Sequence, residues 1–141
     1  MRGVAAPPAP PRINGDPIDP REVNERLESL DADEVIAWAV ENFHPSLYFA
    51  CSFQRTTSVI VDIAQRVEPS TRFFYLDTGL LFEQTYMTRD ALAARYGIGF
   101  DRFHNISVDQ QARLYGDKLW ERQPDACCGI RKVEPMRDAL A

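Results

Sequence analysis

Cysteine and histidine are scarce in this chain: of 141 residues, three are cysteines and two are histidines. An odd cysteine count does not suit a disulfide framework, so the sequence predicts a fold held by its core. Free thiols persist in reducing compartments, which points to the cytoplasm. No apolar run reaches the ~20 residues a membrane-spanning helix needs, and the N-terminus lacks the apolar stretch of a secretory signal. An excess of positive charge is missing too. A net charge of −5 argues against a general nucleic-acid binder with a basic face, although local cations can still hold a small anion. No internal repeat is present. No Gly-Lys-Ser/Thr of a Walker loop occurs either.

What is present is ordinary globular chemistry. The chain is 45% hydrophobic and 26% charged, enough for one domain with a real core. Proline is unevenly spread: six of the ten prolines fall within residues 1–20. Proline lacks a donor and resists regular structure, so the sequence predicts a disordered tail over 1–20 and a folded domain over 21–141. Asp19-Pro20 reads as the start of a helix, with Asp as cap and Pro at the first helical position. A second helix is predicted over 32–43, capped by Asp31.

An alternation of strands and helices follows. Residues 47–51 and 72–76 form short apolar runs that read as buried strands, and 100–106 is a third candidate. The stretch 57–67 reads as a helix with Val59, Ile60, Ile63, Ala64 and Val67 inward. A long helix over 82–96 stops at Gly97. Residues 108–125 suggest a broken helix, and 129–140 a last helix interrupted or started by Pro135. Alternating elements of this kind imply an α/β fold with a parallel sheet flanked by helices. In such sheets ligands bind at the carboxyl ends of the strands, which directs attention to the loops after the first two.

The first loop holds Ser52, Phe53, Gln54, Arg55, Thr56, Thr57 and Ser58 ahead of a helix. Helix N-termini bind anions readily, and the hydroxyls and Arg55 add donors. The same hydroxyls could equally be helix caps. The second loop, Asp77-Thr78-Gly79, follows a strand. Its Asp could accept from a ribose hydroxyl or an adenine amine, or simply close an Asx turn. Gly79 permits a tight turn and close ligand approach. The third feature is Cys127-Cys128-Gly129-Ile130-Arg131-Lys132. Thiolates hold iron–sulfur clusters, usually four per cluster, and neighbouring cations lower thiol pKa values. A vicinal disulfide, half a zinc site or two incidental core cysteines are the alternatives. Pro124-Asp125 and Gly129 predict that the pair lies in a loop. Cys51 reads as a small core residue on its strand.

In their order and spacing, these stretches resemble the assimilatory sulfonucleotide (adenylylsulfate and phosphoadenylylsulfate) reductase family. The matching segments are Ser52-Phe53-Gln54 through Ser58, Leu76 through Phe82 with Thr85-Tyr86 and Thr88-Arg89, Leu114-Tyr115-Gly116, and Pro124-Asp125 through Pro135. The resemblance covers roughly residues 20–141. It implies a Rossmann-like adenine nucleotide alpha hydrolase-like fold. It also implies a substrate site of Ser52, Phe53, Gln54, Ser58, Asp77, Thr78, Gly79, Arg131 and Lys132. Within the family an adjacent cysteine pair marks the iron–sulfur branch that uses adenylylsulfate. Cys127 and Cys128 then match two of the four ligands of a [4Fe-4S] cluster.

The implied reaction reduces adenylylsulfate to sulfite and AMP, with thioredoxin or glutaredoxin as reductant, in sulfate assimilation and cysteine biosynthesis. A phosphoadenylylsulfate reductase and a catalytically silent adenine-nucleotide binding module are the alternatives. Self-association is left open. The pattern departs at Glu83-Gln84, where the family more usually has Pro-Glu. The family's second cluster pair and its nucleophilic cysteine find no match among these residues. The resemblance therefore predicts a fragment or truncated gene product with no catalytic residue of its own, inactive in isolation.

Overall fold

The structure, a computed structural model, describes residues 12–13 and 15–141. Most of the tail expected over 1–20 lies outside the described residues. Within the described part, β1 (Arg12–Ile13) pairs antiparallel with β2 (Asp16–Pro17). The chain divides into two compact units, one ending at Leu47 and one running from Tyr48 to Ala141.

The first unit carries two helices whose starts follow capping chemistry. Asp19 accepts from the Arg21 N–H at the head of α1 (Pro20–Glu28), where Pro20 needs no donor. Asp31 and Glu34 form a reciprocal capping box on α2 (Ala32–Phe43). Trp38 meets Phe43 edge-on at 5.6 Å on that helix.

The second unit is built on a parallel sheet, β3 (Tyr48–Ala50), β4 (Arg72–Leu76) and β5 (Asp101–Phe103), in the order β3-β4-β5. Phe49 lies opposite Phe73, Ala50 opposite Phe74, and Leu76 opposite Phe103. The central strand is buried on both faces, with Phe73, Phe74 and Tyr75 at 1–3% exposure. That double burial is why it reads as a continuous apolar run rather than an alternating one. At the amino ends, Tyr48, Arg72 and Asp101 clasp the three strands together. Tyr48 donates to the Asp101 carboxylate, and the Arg72 guanidinium bonds it at 2.9 Å. This cluster is exposed, so it aligns the strands more than it stabilises them.

Helix α3 (Arg55–Val67) connects β3 to β4, and α4 (Glu83–Tyr96) connects β4 to β5. The sequence places Val59 inward, but Val59 is exposed and Val61 is fully buried. The helix begins at Arg55, and its buried stripe runs Thr57, Val61 and Ala64, the three- and four-residue spacing of one face. Gly97 ends α4 in the left-handed conformation at φ 66°. The broken helix of 108–125 resolves into α5 (Val108–Tyr115), opened by a Ser107–Gln110 capping box, and α6 (Leu119–Arg122).

The cysteine pair is not in a loop. It ends α7 (Pro124–Cys128), and the chain continues through a π-helical segment (Gly129–Val133) into α8 (Glu134–Ala139). Two signals that read as breakers act otherwise. Pro124 opens the helix, and Gly129 keeps helical torsions, φ −52° and ψ −54°. Pro135 follows the wide π turn, closed by Glu134 N–H to the Gly129 carbonyl. That turn relieves the clash a proline ring makes with the carbonyl four residues back. Helix α8 then packs against β4 and β5.

Candidate functional site

A cavity of about 600 Å³ opens at the carboxyl ends of β3 and β4, within the size range of small-molecule sites. The loop after β3 forms one wall. The ladder extends one residue past the strand, with Cys51 N–H donating to the Phe74 carbonyl at 2.8 Å. The chain then turns into α3. Ser52 N–H donates to Thr57 Oγ1 at 3.2 Å, and the two hydroxyls lie 3.4 Å apart. Phe53 adopts φ 58°, which costs a non-glycine residue about 1–2 kcal/mol. Its ring compensates by packing edge-on against Tyr75 at 5.4 Å and Phe100 at 5.0 Å. An aromatic anchor thus holds the loop in a conformation its backbone disfavours, a pattern associated with functional sites. Ser52, Phe53 and Gln54 all line the cavity. Gln54 caps α3 without a side-chain bond; its carbonyl accepts from Thr57 N–H at 2.9 Å, which leaves the N–H groups of Arg55 and Thr56 uncapped by Gln54.

Ser58 lies in the first turns of α3, half-buried and outside the cavity lining. Cys51 lines the cavity, but burial pushes its thiol up to about 12. A thiol held protonated is a poor nucleophile, in keeping with its reading as a packing residue.

The loop after β4 forms the opposite wall through Thr78, Leu80, Leu81 and Phe82. Asp77 does not line the cavity. It is 7% exposed and spends its carboxylate on the fold. Oδ1 accepts from Gly79 N–H at 2.9 Å and Tyr86 Oη at 2.6 Å, and Oδ2 accepts from Arg102 Nε at 2.6 Å. Burial opposes its ionisation, but the bonds from Tyr86, Gly79 and Arg102 outweigh it and hold the carboxyl below the ordinary range. Tyr86 is pushed up to about 12 by burial and by Asp77. Gly79 is exposed and outside the cavity lining: at φ +67°, a side chain there would meet Val108 Cγ2 at 3.3 Å and Arg131 Nη1 at 3.5 Å. Asp77 and Gly79 therefore shape the turn that presents Thr78 and Leu80. Tyr86 and Arg102 are the partners that sequence reasoning missed. Tyr86 falls in the segment matched together with Leu76–Phe82, but nothing in the sequence marks it as a partner of Asp77; the face of α4 brings it in, and strand register brings in Arg102.

A second cavity, of about 460 Å³, adjoins the first. Thr78, Leu80, Leu81 and Lys132 line both, while Trp120, Cys127, Cys128 and Arg131 line the second. Cys127 is buried and Cys128 exposed. Lys132 is the cation that reaches the first cavity, and the π turn puts Arg131 elsewhere. Arg131 is 4% exposed; its Nη1 donates to the carbonyls of Thr78 and, at 3.4 Å, Ile106. Its Nε and Nη2 are buried without a partner among the described residues. A buried guanidinium with unused donors beside two thiols is a setting for an anion. Among the described residues no group of three or more His, Cys, Asp or Glu could hold a metal ion. The pair by itself offers two ligands.

Residues 46–141 match a family model described as the phosphoadenosine phosphosulfate reductase domain. The chain is 36% identical over 126 residues to an adenosine 5′-phosphosulfate reductase of Halalkalibacterium halodurans, covering 88% of this chain and 54% of the relative. It is 38% identical over 109 residues to adenosine 5′-phosphosulfate reductase 1 of Bacillus subtilis, covering 76% of this chain and 47% of the relative. The chain thus spans about half the length of these relatives. A crystal structure of the phosphoadenylyl-sulfate reductase of Candida auris, a phosphate complex, superposes with a TM-score of 0.74 at 33% identity. That match covers 84% of this chain and 59% of the other.

Proposed function

We propose, because this chain belongs to the phosphoadenosine phosphosulfate reductase family, that it supplies the nucleotide-binding part of a reductase of adenylylsulfate. The cavity between the β3 and β4 loops, with Lys132 on its rim, carries this reading. A helix N-terminus and an ammonium on one cavity suit an anionic nucleotide. Ser52, Phe53, Gln54 and Thr78 bind it from the two walls, and Ser58, Asp77 and Gly79 support those walls from outside the lining. Arg131 acts from the neighbouring cavity by fixing the Thr78 carbonyl, which couples the cysteine helix to the nucleotide loop.

The cysteine pair, the unused Arg131 donors and the second cavity suit a thiolate-held, negatively charged group. Cys127 and Cys128 would supply two of the four thiolates of a [4Fe-4S] cluster. Such a group would place a fixed charge beside the nucleotide cavity and anchor the cysteine helix. Arg131 would offset that charge, and Lys132 would stand between it and the substrate anion.

In the reaction a thiolate attacks the sulfur of adenylylsulfate, the S–O bond to the phosphate breaks, and AMP leaves. A dithiol of the thioredoxin class then supplies two electrons and releases sulfite. This chain's residues bind, orient and stabilise the departing phosphate. None of its three cysteines suits the attacking role, since Cys51 is held protonated and the pair is assigned to the cluster.

Titration calorimetry tests the reading. The 141-residue chain is expected to bind adenylylsulfate more tightly than its 3′-phosphorylated form or ATP. Lys132→Ala should weaken adenylylsulfate about tenfold or more, as loss of a charged hydrogen bond would. No sulfite should appear when thioredoxin is added. Tighter binding of the 3′-phosphorylated form would move the assignment to phosphoadenylylsulfate, and turnover by the isolated chain would overturn the assignment of its thiols.

A further inference from the structure

One buried polar side chain has no role in the nucleotide site. Gln111, on the inner face of α5, is 1% exposed and among the largest fully buried side chains of the molecule. Its amide Nε2 lies 3.6 Å from Cys127 Sγ, and its Oε1 lies 4.0 Å from the same sulfur. Among the described residues no other group bonds this amide. Burying a carboxamide is unfavourable unless its two N–H groups and its oxygen find partners. A neutral thiol is a poor one, being both a weak donor and a weak acceptor. A leucine or methionine in this position would fill the same space without that cost. A sulfur that ligates a metal is a better acceptor than a thiol, and the amide N–H lies where it can donate to one.

We infer that Gln111 is a positioning residue for Cys127, its buried amide N–H directed at the sulfur so that the side chain is oriented as a metal ligand. This rests on the assignment of Cys127 and Cys128 as ligands. Hydrogen bonds to ligating groups fix their orientation and raise site affinity, and bonds to cluster sulfurs tune the cluster. The geometry separates the two cysteines. Cys127 is buried against an amide, whereas Cys128 is exposed and has no side-chain hydrogen bond among the described residues. Helix α5 is fixed independently by its own capping box at Ser107 and Gln110, so Gln111 approaches the sulfur from a preset frame. The cysteine helix and α5 are thereby joined at the ligand itself.

Cadmium is the probe, because thiolate coordination gives it a near-ultraviolet absorption that reports binding without any enzymatic activity. The 141-residue chain is titrated with cadmium alone. Wild type is expected to show the thiolate–cadmium band, and Cys51→Ser to keep it. Gln111→Met and Gln111→Glu both keep the size of the side chain and remove the N–H donor. Each is expected to weaken cadmium about 10–100-fold, the usual effect of losing a bond to a ligand, while circular dichroism stays that of wild type. Unchanged affinity in a folded Gln111→Met chain would overturn the inference while leaving the ligand assignment standing. No band in wild type, or an equal band in Cys127→Ser, would overturn the ligand assignment and this inference with it. Should both Gln111 variants fail to fold, wild type loaded with NMR-active cadmium decides. A scalar coupling between the metal and the Gln111 amide proton supports the bond, and its absence rules it out.

Discussion

Asp77 shows how a residue can matter to a site without touching its contents. Its carboxylate ties the β4 turn to α4 through Tyr86 and to β5 through Arg102. Those bonds hold its folded-state ionisation below the ordinary carboxylate value of 3.8. The stability they contribute is therefore complete above that value and is lost as pH falls below it and the group protonates. Asp77→Asn is expected to lower the unfolding free energy at neutral pH by about 1–3 kcal/mol, the range for buried bonds to a charged group. It should also flatten the decline of stability below pH ~4. Urea denaturation across a pH series measures both, and an acid limb as steep as that of wild type would contradict the account. Asp77 as a turn residue was one of two readings the sequence left open. In the structure its carboxylate closes the turn on Gly79 N–H and is bonded by Tyr86 and Arg102, and it does not line the cavity. Arg131 likewise stands out in the sequence as a cation, but only the π turn decides that it faces carbonyls while Lys132 reaches the first cavity.

At the scale of elements, two glycines allow a controlled comparison. Gly97 and Gly79 both hold positive φ, at 66° and 67°, but only Gly79 has neighbours where a side chain would go. Gly97→Ala should cost about 1–2 kcal/mol from left-handed strain alone. Gly79→Ala adds contacts with Val108 and Arg131 and is expected to cost more, and to weaken adenylylsulfate as Thr78 shifts. Equal costs in urea denaturation would mean that Arg131 yields freely and does not hold the turn. The strands and the helix caps at Asp19, Asp31 and Gly97 were legible because each rests on a local rule. The cysteine helix was not. Proline and glycine are local punctuation, and here Pro124 occupies a first-turn position where a missing donor costs nothing. Pro135 is accommodated by a π turn that no apolar period announces. Val59 and Val61 are a smaller case: Ile63 and Ala64 are buried as expected, while the face is turned so that Val61 and not Val59 meets the core.

At the scale of the molecule, the unit from Tyr48 to Ala141 contains both cavities and every residue assigned to them. If the two loops form one competent site, ligand binding must stabilise the folded chain by linkage. Adenylylsulfate at a hundred times its dissociation constant is expected to raise the unfolding free energy by about 2.7 kcal/mol. A thermal or urea melt with and without the nucleotide reads this directly. No shift at saturating nucleotide would mean that these residues alone do not assemble the pocket.

The sequence by itself determined the alternation of strands and helices, the parallel sheet, the two loops at its carboxyl ends and the cysteine pair with its cations. Each of these is written in neighbours along the chain: apolar period, caps, and residue types at fixed offsets. Tertiary structure alone decided which of the singled-out residues face the cavity. Asp77 and Gly79 fell outside the lining and Arg131 into the neighbouring cavity. It also decided that a glutamine from α5 would meet a cysteine from α7. Those outcomes depend on strand register, on one wide helical turn and on the approach of elements distant in sequence, and contacts of that kind leave no periodic trace in the chain.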